Sequence, residues 1–159
     1  MLNEAELIEK ETIYRQLRID AEALETRRSM ARWLALSLGI INPGETRQSA
    51  VAVLDALVNY QFVKKEDPDA ESLKSYINAN WDNINEKTLR YHLLRFKKMG
   101  IIENAHGKFY FRLPASGDRF NPDDVFSNMF EQSSKEVVSR VSKVINELKD
   151  RSKLIGGQS

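Results

Sequence analysis

The spacing of apolar residues changes period once, at Gly100, and this change constrains the fold more than any other feature of the chain. Before it, Leu89, Leu93 and Phe96 recur at intervals of three and four toward the glycine, the signature of one buried helical stripe. After it, Phe109 and Phe111 fall on one face of an extended segment, and Lys108, Tyr110 and Arg112 on the other. A helix over Glu86–Met99 must therefore stop at Gly100, the residue that tolerates the left-handed backbone past a helix end. A hairpin follows, with strands Ile101–Asn104 and Lys108–Leu113 joined at Ala105-His106-Gly107. The same stretch is basic. From Asn85 to Leu113, seven cations (Lys87, Arg90, Arg95, Lys97, Lys98, Lys108, Arg112) face two acids (Glu86, Glu103), a net +5 in a chain whose total is +1. The first 25 residues carry −4.

The flanking sequence reads as helices. Leu7, Tyr14, Leu17, Ala21, Leu24, Ala31, Ala35 and Leu38 predict one long helix from about Leu2 to Leu38, with Glu6–Lys10 and Glu11–Arg15 as supporting charge pairs. Asn42-Pro43-Gly44 ends it. At 1.5 Å per residue it would be on the order of 55 Å long, more than the core can cover, so its acidic half needs a second helix or a second subunit. Thr46–Val63 has the wide apolar face of a core helix. Asp67-Pro68 predicts the start of a short helix to about Asn80, burying Leu73, Tyr76 and Ile77, and Asn83 with Glu86 resembles a capping box. Asn121-Pro122-Asp123-Asp124 starts a last helix running to about Leu154, before Gly156-Gly157. Its seam is Phe130, Ser134, Val137, Val141, Val144 and Leu148, widened by Val138 and Ile145, near a coiled-coil period. The expected organisation is an N-terminal docking or dimerisation helix at 1–42, a domain at 43–114, a linker at 115–121 and a dimerisation helix at 122–155. The fold class is mainly α with a small β-hairpin.

Several functions are disfavoured. The chain has no cysteine, and its two histidines, His92 and His106, lie in different elements, so neither a metal nor a cofactor is expected. No nucleophile elbow, P-loop or dinucleotide fingerprint occurs, and Asp123 and Asp124 are explained as first-turn acids, so no enzyme is expected. Without an apolar run of membrane length or a basic, apolar leader, a cytoplasmic protein is the expectation.

The order helix, helix, turn, helix, hairpin over about residues 46–113 resembles the winged helix-turn-helix superfamily. The stretch Thr88-Leu89-Arg90-Tyr91-His92-Leu93 through Lys98-Met99-Gly100-Ile101-Ile102 is similar to the recognition helix and wing junction of ArsR- and MarR-like prokaryotic regulators. The turn from Ala79 to Asn85 is longer than is usual there. The resemblance implies a winged core flanked by the long terminal helices, with helix 86–99 in the major groove of double-stranded DNA and wing 103–109 on the backbone. Its contact set would be Lys87, Thr88, Arg90, Tyr91, Arg95, Lys98, His106 and Lys108. Independently of the resemblance, arginines in such a face bond guanine edges or phosphates, and a threonine suits a phosphate oxygen. A homodimer is expected, since two-fold proteins match paired half-sites, with Leu17, Leu24, Phe130, Val137, Val141, Val144 and Leu148 at its interface. The alternative is a winged-helix scaffold that binds protein. Leu94, apolar and off the core stripe, is the residue that favours it. The sequence says nothing about a small-molecule effector or a target sequence.

Overall fold

A computed structural model describes residues 1–156, with side chains to Lys153. The order of elements is α1 (Glu4–Leu7), α2 (Arg27–Ser37), α3 (Ser49–Val58), a π-helical turn (Asn59–Lys64), α4 (Ala70–Asn80), α5 (Glu86–Lys98), β1 (Ile102–Ala105), β2 (Lys108–Phe111) and α6 (Pro122–Gly156). Gly157, expected to follow the last helix, lies outside the described residues. The architecture is mainly helical with one small antiparallel hairpin. Among the described residues no helix is long and apolar enough to cross a membrane.

The core forms around α3, whose residues Ala50–Leu57 are all buried. Leu73 and Ile77 of α4, Leu89, Leu93 and Phe96 of α5, and Phe111 of β2 pack into the same cluster. One buried carboxylate ties these elements together. Asp55 of α3 receives the Tyr76 hydroxyl at 2.9 Å, the Trp81 indole N–H at 3.0 Å and the Arg27 guanidinium at 2.8 Å. Burial and the Asp55 carboxylate push the Tyr76 phenol up to about 12. The long stretch between α4 and α5 buries Trp81 and Ile84.

The helix stops obey local rules. At Gly100 (φ +79°) the Ile101 N–H returns to the Phe96 carbonyl and the Gly100 N–H to Lys97, a Schellman motif at the position expected. The same motif ends α2 at Gly39 (φ +72°), ahead of Asn42-Pro43-Gly44. Two caps lie two residues beyond those expected. Asp69, not Asp67, accepts from Ser72 N–H at 2.8 Å, and Asn85, not Asn83, accepts from Thr88 N–H at 2.8 Å. Asp67 instead pairs with Arg119.

The single long N-terminal helix is not formed. Only Glu4–Leu7 and Arg27–Ser37 are helical, and the segment between them runs as an irregular arm against the core. Arg15 explains why. Its guanidinium donates to the carbonyls of Leu36 (2.8 Å) and Ile41 (2.9 Å) and to Asn42 Oδ1 (2.7 Å). Its backbone N–H bonds Ser37 O, and its own carbonyl accepts from Ser37 Oγ. These bonds satisfy the end of α2, which a continuous helix could not do. The Thr26–Ser29 capping box starts α2 afresh. Consequently Leu17 is half-buried in the arm and exposed Leu24 precedes α2, and the two share no helical seam.

The hairpin is held at its base. His106 (φ +53°) and Gly107 (φ +74°) both have positive φ, as a two-residue type I′ turn requires. Beside β2 the segment before α4 adds one bridge, Asp69 to Lys108, with Phe109 N–H donating to Pro68 O at 2.9 Å. Gln61, buried in the π-helical turn, accepts from Phe111 N–H at 2.7 Å and donates to Arg119 O at 2.8 Å. It thereby joins the π-helical turn after α3, the hairpin and the linker into α6. The first turns of α6 complete the core, with Val125 and Met129 buried and Phe126 against Phe111 and Phe62.

Two outcomes test these contacts. Gln61→Leu leaves the buried Phe111 N–H and the half-buried Arg119 carbonyl without partners and should cost about 2 kcal/mol in urea unfolding. Because the folded state keeps the Tyr76 proton to about pH 12 while the unfolded chain releases it near 10, stability should fall between those values. Tyr76→Phe should flatten that fall.

Candidate nucleic-acid interface

Helix α5 divides as its sequence requires. Leu89, His92, Leu93 and Phe96 are buried, whereas Lys87, Arg90, Tyr91, Leu94, Lys97 and Lys98 are exposed. The capped N-terminus at Asn85 and the buried Trp81 and Ile84 before it fix the helix on the core, so its outward face is rigidly presented. Basic residues in its last turn, Arg95, Lys97 and Lys98, also suit the negative end of the helix dipole.

The eight residues expected at a contact surface fall into distinct settings. Lys87, Tyr91 and Lys98 project into solvent, Tyr91 at 61% exposure. Arg90 is exposed but pairs with Glu86 at 3.0 Å, one turn back on the same helix. Thr88 and Arg95 are half-buried, and Arg95 donates to the Ile40 carbonyl, which holds its guanidinium beside the end of α2. His106 sits exposed at the hairpin tip. Lys108, at the base of that turn, lies 3.9 Å from Asp69, whose carboxyl is held below its ordinary value by hydrogen bonds from Ser72 and by Lys108.

Clefts flank α5 on both sides. On the hairpin side, Lys74, Glu86, Arg90, Asn104, Gly107 and Asp69 surround one of about 360 Å³. On the other, Arg47, Tyr91, His92 and Arg95 line one of about 540 Å³ with the loop from Gly44 to Thr46. The structure therefore brings the hairpin tip, the start of α5 and the outer face of α5 onto one side of the domain. It adds Arg47, which sequence reasoning missed. Nothing local marks Arg47, because its place beside α5 comes from how the loop before α3 closes on the core.

The acidic arm also reaches this surface. Glu9, Lys10 and Glu11 form one wall of a cleft of about 400 Å³ whose other wall is Tyr91, Leu94, Arg95, Lys98 and Met99. Arg140 of α6 holds Glu9 at 2.8 Å. The charge separation read along the sequence is thus a juxtaposition in space.

His92 supports the helix from within. Its Nε2 lies 2.9 Å from Ser49 Oγ, joining α5 to the first turn of α3, while Nδ1 is buried without a partner. Burial, then Arg95 and Arg47, lower its affinity for a proton. The unfolded chain protonates this histidine near pH 6.5 and the folded chain does so only at lower pH, so stability should decline as pH falls below 6.5. Urea unfolding at pH 7.5 and 5.5 checks this, and His92→Gln should reduce the difference. In comparison with known proteins, no family, characterised protein or solved structure matches the chain.

Proposed function

We propose that this protein is a dimeric, sequence-specific DNA-binding regulator of transcription with a winged helix-turn-helix core. The observation that carries the reading is the division of α5. Its apolar stripe is spent in the core, and Lys87, Arg90, Tyr91 and Lys98 are left on a rigid exposed face beside a hairpin with a small polar tip. A helix so presented fits the major groove, which admits one α-helix and offers guanine acceptors to arginine. The one-residue bridge at Asp69 supports the same reading, since it supplies a rudimentary third strand beside the wing.

In this arrangement α5 occupies the major groove, with Arg90 released from Glu86 to a base edge. Lys87, Thr88 and Lys98 lie toward phosphates, and Arg95, already engaged with Ile40, borders the same face. His106 and Lys108 carry the wing to the neighbouring backbone. Arg47 extends the positive surface on the far side of α5. The exposed seam of α6 holds two copies together. A cytoplasmic location goes with this reading through its resemblance to prokaryotic regulators.

A second reading has its own observation. Leu94 is 52% exposed and, with Tyr91 and Met99, gives the arm-side cleft an apolar floor. Such a surface suits a protein segment, and on this reading the domain is a scaffold that does not read DNA.

A salt titration separates the two. On a site chosen from a random DNA pool, affinity should drop steeply as salt rises. Arg90→Ala should cost about 1–3 kcal/mol there and relax preference at one position, while Lys108→Ala should weaken all sequences about equally. Absence of DNA retention at low salt would remove the regulator reading and leave the scaffold.

A further inference from the structure

Helix α6 is docked only over its first third. Val125, Met129 and Ser133 are buried, and from Ser134 to Lys153 every residue is exposed. Those later residues form a rod of about 30 Å. Along it Val137, Val138, Val141, Val144, Ile145 and Leu148 are 50–62% exposed on one side. The arm touches only the near end, where Glu9 meets Arg140 and Leu7 and Ile8 approach Val137. A continuous apolar face of this kind on a charged helix is built to be covered.

The edges of that face identify the cover. Val137 and Val144 occupy one core position of a heptad, Val141 and Leu148 the other, and Val138, Ile145, Arg140 and Glu147 flank them. In a parallel pair each flanking residue meets the next heptad of its neighbour, so Arg140 would face Ile145 and Glu147 would face Ser152. Neither contact is complementary. In an antiparallel pair centred between Val141 and Val144, Arg140 meets Glu147 of the partner subunit, twice by symmetry. Val138 meets Ile145 of the partner subunit, also twice, and Val137 packs against the partner subunit's Leu148. The face is complementary to itself in one orientation.

We infer that the exposed two-thirds of α6 pairs antiparallel with the same segment of a second copy, with Arg140 and Glu147 setting the register. This deepens the dimer reading proposed above by giving it an orientation, and it holds whether or not the protein binds DNA. The two-fold axis then crosses the rods at right angles. The domains sit at opposite ends, their docking points about 28 Å apart along the rod. Arg140, shared between Glu9 and Glu147 of the partner subunit, links each arm to the junction.

The absence of native cysteine makes the test direct. Val137→Cys and Leu148→Cys are introduced separately in the full chain, then oxidised alone and as a mixture, with mass by light scattering. Covalent dimers should form only in the mixture. Self-linking of each variant alone would overturn the antiparallel register while leaving the dimer in place. No cross-link with a dimeric mass would overturn it in favour of another face, and a monomeric mass would overturn the dimer as well; neither touches the DNA titration. Arg140→Glu should weaken association about tenfold, and adding Glu147→Arg should restore it. Failure of that restoration would also overturn the register.

Discussion

The Asp55 carboxylate is the interaction on which the arrangement of the domain depends. A buried charge is tolerated only when its lone pairs are filled, and here each donor comes from a different element: Arg27 from α2, Tyr76 from α4 and Trp81 from the turn before α5. Non-directional packing lets helices slide over one another at little cost, whereas two hydrogen bonds and an ion pair converging on one carboxylate do not. Removing the acceptor strands the Trp81 indole N–H in the core, a cost of about 1–3 kcal/mol for that group alone. Trp81 in turn precedes Asn85, the cap that starts α5. The direction of the basic face is thus set from the centre of α3.

Features decided by neighbours in sequence were legible beforehand. The period change at Gly100, the hairpin tip at His106-Gly107 and the start of α6 at Asn121-Pro122 need only local chemistry, and each falls where residue type demands it. The caps of α4 and α5 were harder because acceptors stand two residues apart, Asp67 and Asp69, Asn83 and Asn85. Tertiary contacts choose between them, as when Arg119 takes Asp67. The N-terminal arm was illegible for a related reason. Side-chain pairs such as Glu11–Arg15 contribute about 0.2–0.5 kcal/mol to a helix. Arg15 makes three hydrogen bonds by leaving it, and those partners are more than twenty residues away. Thr26 and Gly39 were the local signals that the helix is short.

The candidate site was legible in composition but not in the state of each cation. Sequence alone places Lys87, Arg90 and Lys98 on the outward face with Arg95 at its edge, and says nothing of what each one pairs with. In the fold Lys87 and Lys98 are exposed, Arg90 shares an exposed pair with Glu86, and Arg95 is half-buried on the Ile40 carbonyl. An exposed pair of that kind contributes little and is readily exchanged for another anion. Arg95 cannot be exchanged so freely, because leaving Ile40 would uncover a carbonyl at the end of α2. The same face also carries Glu9 and Glu11 along one edge, so its field is smaller than a count of α5 cations suggests.

The exposed part of α6 has one more consequence. Five of its six seam residues are valine or isoleucine, which lose side-chain freedom in a helix and propagate it poorly. The docked turns up to Ser133 supply the nucleus, the step that is hardest for an isolated helix. Beyond them, each added turn gains little from intrinsic propensity and much from covering its apolar side. Coil-to-helix conversion and burial of the seam are therefore one equilibrium: whatever covers Val137 to Leu148 also determines how far the helix extends.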